Sequence, residues 1–97
     1  MADIRLHPAA EADYEDAYDW YLERSERAAL RFEKEVERAL KLISESPSQW
    51  PLCDERHRLY LLKRYPYSIV YRTIDQGVLV IAIAHARRKW AYWKHRA

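Results

Sequence analysis

The feature that most constrains this fold is an unbroken apolar run at residues 78–84, which ends at His85. Seven residues are far too few for a transmembrane helix, which needs about 20. A short apolar run of this kind predicts instead a central β-strand that is buried on both faces. We therefore expect a sheet with residues 78–85 as an inner strand.

The N-terminal half predicts a strand followed by two helices. Residues 3–7 alternate polar and apolar side chains, and Pro8 suits the first position of a helix. Ser25 marks a break, and Pro47 ends the second helix because the residue before a proline avoids helical geometry. Two helices this close in sequence predict an antiparallel hairpin. Their apolar stripes recur at three-and-four spacing: Ala10, Tyr14, Ala17, Tyr18, Tyr21 and Leu22 in the first helix; Ala29, Phe32, Val36, Ala39, Leu40 and Ile43 in the second.

The C-terminal half predicts a meander of three strands, residues 58–64, 67–74 and 78–85, after a loop at 47–57. Gly77 is expected to supply a positive φ in the hairpin loop at 75–77. Residues 86–97 predict a short helix or turn. Together the elements predict one α+β domain over residues 1–97 with two layers: an N-terminal strand, a helical hairpin, an antiparallel three-stranded meander and a short C-terminal segment.

Most chemical signatures are missing from the sequence. One cysteine, Cys53, excludes an internal disulfide, and the four histidines lack metal-ligand spacing. No glycine-rich phosphate loop or nucleophile motif is present. The carboxylates of the first helix are expected to be solvated, which disfavours paired acid–base catalysis: Glu11, Asp13, Glu15, Asp16 and Asp19. The N-terminus lacks the pattern of a signal peptide, so we expect a cytoplasmic protein.

The net charge of +2 conceals a strong segregation of charge. Residues 1–48 carry 12 acidic and 7 basic side chains, whereas residues 49–97 carry 3 acidic and 10 basic ones. Such a distribution either steers an acidic partner to one end or neutralises itself within the fold. Arginines and aromatic residues alternate in the basic half, a combination used on nucleic acids and in protein interfaces. We expect Tyr60 and Tyr71 to pack in the core and the cluster at residues 87–96 to be functional.

Several motifs resemble the ParE/RelE superfamily of bacterial toxins from type II toxin–antitoxin pairs. They are Ala-x-x-Asp at 10–13 and Tyr-x-x-Tyr at 18–21, Pro-Tyr-x-Ile-x-Tyr at 66–71, Ala-x-x-His-x-Arg-Arg at 82–88 and Tyr-Trp-x-x-Arg at 92–96. The likeness covers nearly the whole chain. It implies a toxin of this superfamily, with the fold described above.

The superfamily divides by mechanism. RelE-like members cut mRNA on the ribosome with cations from the middle strands, a C-terminal arginine and a tyrosine. The corresponding positions here are Leu59, Leu61, Ser68, Arg87 and Trp93, so only the arginine is kept. The sequence is more similar to the ParE-like branch, which implies an inhibitor of DNA gyrase without a cofactor rather than an enzyme. The alternatives are a ribosome-dependent mRNA endoribonuclease with Arg87 as its catalytic residue, and a non-toxic nucleic-acid-binding module.

The resemblance also implies two contact surfaces. An antitoxin is expected to cover the toxin as a hetero-oligomer, and no membrane or metal is implied. Expected target contacts are His85, Arg87, Arg88, Trp93 and Arg96. Expected antitoxin contacts are Tyr14, Trp20, Tyr21 and Leu22.

Overall fold

The fold consists of a helical hairpin on a four-stranded sheet. The computed structural model describes residues 2–96; Met1 and Ala97, which end the predicted domain and the predicted C-terminal segment, lie outside the described residues. The elements in chain order are β1 (Asp3–Leu6), α1 (Pro8–Arg24), α2 (Glu26–Glu45), β2 (Arg58–Leu61), β3 (Tyr67–Ile74) and β4 (Gly77–His85). The predicted α+β fold is confirmed.

Strand β4 occupies an inner position of the sheet, as its apolar run predicts. The strand order is β1-β4-β3-β2, with β1 parallel to β4 and the other neighbours antiparallel. Leu6 pairs with Val80 on one side of β4, and Ile69 pairs with Ile83 on the other. The parallel pair arises because the helical hairpin carries the chain from β1 across the sheet before the meander begins.

Single residues set the ends of the two helices. Pro8 occupies the first turn of α1, and the His7 Nδ1 atom accepts a hydrogen bond from the Ala9 N–H at 3.0 Å. Ser25 both ends α1 and begins α2: its N–H donates to the Tyr21 carbonyl, and its Oγ accepts from the Ala28 N–H. This one-residue junction confirms the predicted hairpin.

The apolar stripes of both helices pack on one face of the sheet, except for Leu22, which was predicted in the stripe of α1 and is 44% exposed. Phe32 is fully buried at the centre of this layer, with the rings of Tyr14, Tyr21, Tyr65 and Tyr67 at centroid distances of 5.0–5.8 Å. Tyr60 and Tyr71 are 4% and 0% exposed, which confirms their prediction as core residues. The Tyr71 hydroxyl donates to the Pro47 carbonyl at 2.6 Å and so joins β3 to the end of α2.

The second face of the sheet is covered by the C-terminal tail, which we define as residues 86–96. Its Trp93 packs against Val70, Ile81 and Ala82 in a second buried cluster, with Leu59 and Tyr92 at its margin. The tail forms successive turns rather than a helix. Strand β4 is therefore buried on both faces because helices cover one and the tail covers the other.

Two local expectations are corrected. The positive φ of the 75–77 loop lies at Gln76, at 57°, and Gly77 does not have one. Gly77 is needed for a different reason: a Cβ there would lie 2.7 Å from the Asp3 carbonyl oxygen, because β1 runs directly alongside. Strand β2 ends at Leu61 rather than at 64, since Arg64 takes a φ of 68° in the turn to β3.

Candidate functional site

The buried carboxylate of Asp13 joins α1, β4 and the C-terminal tail. Its Oδ2 accepts hydrogen bonds from Arg96 Nη1 at 2.7 Å, from the Ile83 N–H at 3.1 Å and from the Tyr92 hydroxyl at 3.2 Å. Its Oδ1 accepts from Arg96 Nη2 at 3.3 Å, and Arg88 Nη1 lies 3.9 Å away. The carboxylate thus has several donors in a setting where an unpaired charge would be costly.

The expectation that Asp13 is solvated is therefore wrong. Asp13 is one of three buried residues of α1, together with Ala10 and Ala17. Those three residues follow the three-and-four spacing of one helical face, so the signal was present in the sequence. The neighbouring carboxylates hid this pattern, because a helix rich in acidic residues is expected to expose all of them to solvent.

Trp93 and Arg96 hold the tail in place and do not offer free surface. Trp93 is 1% exposed in the second core cluster, and its ring centroid lies 4.8 Å from that of His57. The side chain of Arg96 is 9% exposed, with its guanidinium bound to Asp13 and to the Ile81 carbonyl. These two side chains pack the tail against the sheet, and the expectation that they contact a target stays a prediction.

The longest exposed stretch of the tail contains residues 87–90; Lys94 and His95 are also exposed. Arg87, Lys89 and Trp90 are exposed, Trp90 to 54%. Arg88 is positioned by two contacts: its guanidinium carbon lies 3.9 Å from the centroid of the Tyr92 ring, and its Nη1 approaches Asp13. Of the predicted target contacts, the structure brings His85, Arg87 and Arg88 together at the surface.

His85 begins this segment at the end of β4. Its ring lies 4.9 Å from the Tyr67 ring, the residue opposite it in the β3–β4 register. The Arg87 N–H donates to His85 Nδ1 at 3.0 Å. In the neutral imidazole the proton therefore lies on Nε2.

A cleft of about 260 Å³ separates α1 from this end of the sheet. We call it the α1–β4 cleft. Trp20 and Asp16 line its helical wall, and Tyr67, His85 and Arg88 line the opposite wall. Sequence reasoning missed Tyr67 and Asp16, because no local pattern shows that the beginning of β3 faces α1.

The tyrosines around the cleft remain protonated at neutral pH. Burial, followed by the Asp16 charge, raises the pKa of Tyr67, and burial followed by Asp13 raises that of Tyr92. Burial likewise raises the pKa of Tyr14, further along α1, to about 12. The Tyr92 hydroxyl donates a hydrogen bond to Asp13, and the rings of Tyr14 and Tyr67 act as packing surfaces.

The predicted antitoxin contacts divide into packed and exposed residues. The Tyr14 and Tyr21 rings are half-buried against Phe32, at 5.8 and 5.0 Å. Trp20 is 49% exposed, with the Arg24 guanidinium carbon 3.5 Å from its ring centroid, and Leu22 is 44% exposed. Only Trp20 lines the cleft; Leu22 lies roughly 200° further round α1, because each helical residue turns by about 100°.

Two kinds of site are absent from residues 2–96. No group of three or more His, Cys, Asp or Glu side chains is arranged to hold a metal ion. Within the same residues, no helix combines the length and the apolar character that crossing a bilayer requires. Burial raises the pKa of the Cys53 thiol, which opposes a role as a nucleophile.

Comparisons with known proteins match this fold over most of the chain. The family described as "ParE toxin of type II toxin-antitoxin system, parDE" matches residues 4–90. Toxin ParE2 of Mycobacterium tuberculosis, from strain CDC 1551 / Oshkosh and from strain ATCC 25618 / H37Rv, is 24% identical over 83 residues, which are 84% of this chain and 79% of the relative. A solved structure of the chromosomal ParDE TA system from P. aeruginosa superposes with a TM-score of 0.78 at 21% identity, covering 90% of this chain and 98% of that one.

Proposed function

The chain belongs to the ParE toxin family of type II toxin–antitoxin systems, and we propose that it arrests growth by poisoning DNA gyrase through the exposed segment of its tail. Family membership implies an antitoxin partner. The gyrase target is inferred from the resemblance to the ParE-like branch. The residues that contact the target are inferred from the geometry of the site.

The observation that best supports this proposal is the fixed position of the tail. Asp13 and the second core cluster hold Tyr92, Trp93 and Arg96, so residues 87–90 project from an ordered base. An ordered segment loses little conformational entropy on binding. Arginine and tryptophan are also the residue types that dominate binding energy in protein interfaces, and Arg87 and Trp90 are both exposed.

The alternative of a ribonuclease has little support from the side chains present. Cleavage of a phosphodiester needs a base, a general acid and cations that stabilise the developing charge. The strand positions that supply cations in RelE-like members hold Leu59, Leu61 and Ser68 here. Trp93, at the tyrosine position, is buried, which leaves Arg87 alone.

The position of the α1–β4 cleft supports neutralisation by an antitoxin. Trp20 lines one wall of the cleft, and His85 and Arg88 line the other. An antitoxin segment that packs on the exposed face of Trp20 and crosses the cleft would therefore also cover His85 and Arg88, which adjoin the proposed target contacts Arg87 and Trp90. Binding of the antitoxin and of the target would be mutually exclusive.

A supercoiling assay tests the proposed function. Purified toxin is expected to inhibit gyrase or to trap cleaved DNA, and equimolar antitoxin is expected to restore activity. Normal supercoiling in the presence of excess toxin would contradict the proposal. Primer extension on translated mRNA distinguishes the alternative, since cuts within codons after induction would identify a ribonuclease.

A matched pair of tryptophan variants separates the two surfaces. Trp20→Ala is expected to stay toxic but to escape the antitoxin, whereas Trp90→Ala is expected to lose toxicity and keep antitoxin binding. The opposite pattern would assign the surfaces the other way round.

A further inference from the structure

A second concave surface lies between α2 and the turn that joins β2 to β3. It is a groove of about 690 Å³, and we call it the basic groove. Five cations line it: Arg31, Lys34 and Arg38 from α2, and Lys63 and Arg64 from the turn. It shares no lining residue with the α1–β4 cleft, so it is separate from the proposed toxin surface.

The single carboxylate of the basic groove is already engaged. Glu35 accepts hydrogen bonds from Arg38 Nε and Nη2 at 3.1–3.2 Å and from the Lys63 N–H at 2.9 Å. Its side chain is 12% exposed, and these bonds join α2 to the β2–β3 turn. Glu35 therefore holds the two walls together and neutralises only Arg38.

The other four cations remain exposed and have no ion pair within 4.0 Å among residues 2–96. Arg31 and Lys34 lie one turn apart on the helical wall, and Lys63 and Arg64 lie on the facing wall. Arg64 takes a left-handed φ of 68°, a conformation that non-glycine residues adopt at a cost and that is concentrated at functional sites. Two facing pairs of cations without ion-pair partners fit a polymer that carries one negative charge in each of its repeating units.

We propose that the basic groove binds the phosphodiester backbone of a nucleic acid without sequence preference. A nucleic-acid strand releases condensed counterions when cations neutralise its phosphates, and a short acidic peptide lacks that driving force. The aromatic residue of the groove, Tyr65, packs against Tyr21 and Phe32 at centroid distances of 5.6 and 5.4 Å. Tyr65 is half-buried by these two edge-to-face contacts, and the exposed cations are expected to provide the binding energy.

Fluorescence anisotropy of a labelled oligothymidylate with the full chain tests this site, at salt concentrations from about 50 to about 200 mM. The logarithm of the binding constant is expected to fall linearly with that of salt. Replacing one cation on each wall, Lys34→Ala with Lys63→Ala, is expected to make the slope shallower by about 1.4, since each lost contact to a single strand contributes about 0.7. Lys34→Arg with Lys63→Arg is expected to keep the slope.

Matched controls remove the same charge elsewhere. Arg5→Ala with Arg56→Ala changes two exposed positions outside the groove and is expected to leave the slope unchanged. Arg87→Ala with Lys89→Ala removes two cations from the tail. Thermal melts check that each variant is folded, and Lys34→Gln with Lys63→Gln provides the same loss of charge if the alanine pair unfolds.

Three outcomes would overturn the proposal. They are an absence of salt-dependent binding, equal slopes for the Lys34/Lys63 and Arg5/Arg56 double variants, and a loss of binding that occurs only in the Arg87/Lys89 double variant. Tighter binding of polyglutamate than of oligothymidylate at equal charge concentration would also overturn it, and would assign the groove to acidic peptides. The gyrase assay is independent of these results, because the basic groove and the tail do not share residues.

Discussion

Asp13 Oδ2 and Arg96 Nη1 lie 2.7 Å apart, although 83 positions separate the two residues in the chain. Their side chains are 7% and 9% exposed. The acidic N-terminal half and the basic C-terminal half of the sequence therefore neutralise each other at this point. Arg87 and Lys89 remain exposed nearby, so the tail keeps a local positive charge for a partner.

Asp13→Ala is expected to lower the free energy of unfolding by about 3–5 kcal/mol, because it leaves the Arg96 charge largely buried and unpaired. Denaturant titration of the purified protein measures this loss. Asp16→Ala is the control, because Asp16 lies about one turn further along the same helix but is exposed. It is expected to change the free energy of unfolding by less than about 0.5 kcal/mol. Equal effects of the two substitutions would contradict the role of Asp13.

The two tryptophans of the tail are expected to behave differently in the same experiment. Trp93→Ala removes a core side chain from the second sheet face and is expected to cost about 3–5 kcal/mol. Trp90 is 54% exposed and contacts Trp93 at a centroid distance of 5.7 Å, so Trp90→Ala is expected to cost less than about 1.5 kcal/mol. A neutral Trp93→Ala would show that the tail does not cover the sheet.

Periodic patterns allowed most of the fold to be predicted. The strand at 67–74 follows from a run of apolar, β-branched and aromatic residues between two turn signals, and the stripe of α2 follows from three-and-four spacing. The burial of Asp13 follows the helical spacing of Ala10 and Ala17, but its ion pair could not be predicted in the same way, because its partner Arg96 is distant in sequence. The same basic and aromatic residues are expected in a tail that binds a target and in a tail that packs on a sheet. The available clue was β4 itself, since a helical hairpin covers only one of its two faces.

The 75–77 loop offers two substitutions that are expected to change stability in opposite directions. Gly77→Ala places a Cβ 2.7 Å from the Asp3 carbonyl oxygen and is expected to destabilise the protein by about 1–3 kcal/mol. Gln76→Gly relieves a left-handed φ of 57° and is expected to raise the melting temperature. If Gly77→Ala were tolerated, the close approach of β1 to β4 would be wrong.

Asp54 is expected to make stability depend on pH below about 4. Burial acts to raise its pKa, but hydrogen bonds from the Arg56 and His57 N–H groups and from the His57 ring outweigh burial and lower the pKa from 3.8 to about 2. The folded state therefore binds this proton less readily than the unfolded state. The resulting stabilisation is complete above the unfolded pKa and is lost as the pH falls from about 4 through 2.

Denaturant titrations between pH 2 and pH 5 test the role of Asp54. Asp54→Asn is expected to reduce this pH dependence, and Glu55→Gln, its exposed neighbour, is expected to retain it. An identical pH dependence in wild type and Asp54→Asn would show that the carboxylate contributes nothing to it.

Growth after induced expression tests most directly whether the exposed segment of the tail is the toxic surface. The variant is Arg87→Ala with Trp90→Ala, compared with wild type at matched soluble levels and with melting curves recorded for both. Neither side chain is part of the Asp13 network, so the variant is expected to fold and to permit normal growth. Full growth arrest by the folded variant would contradict the account.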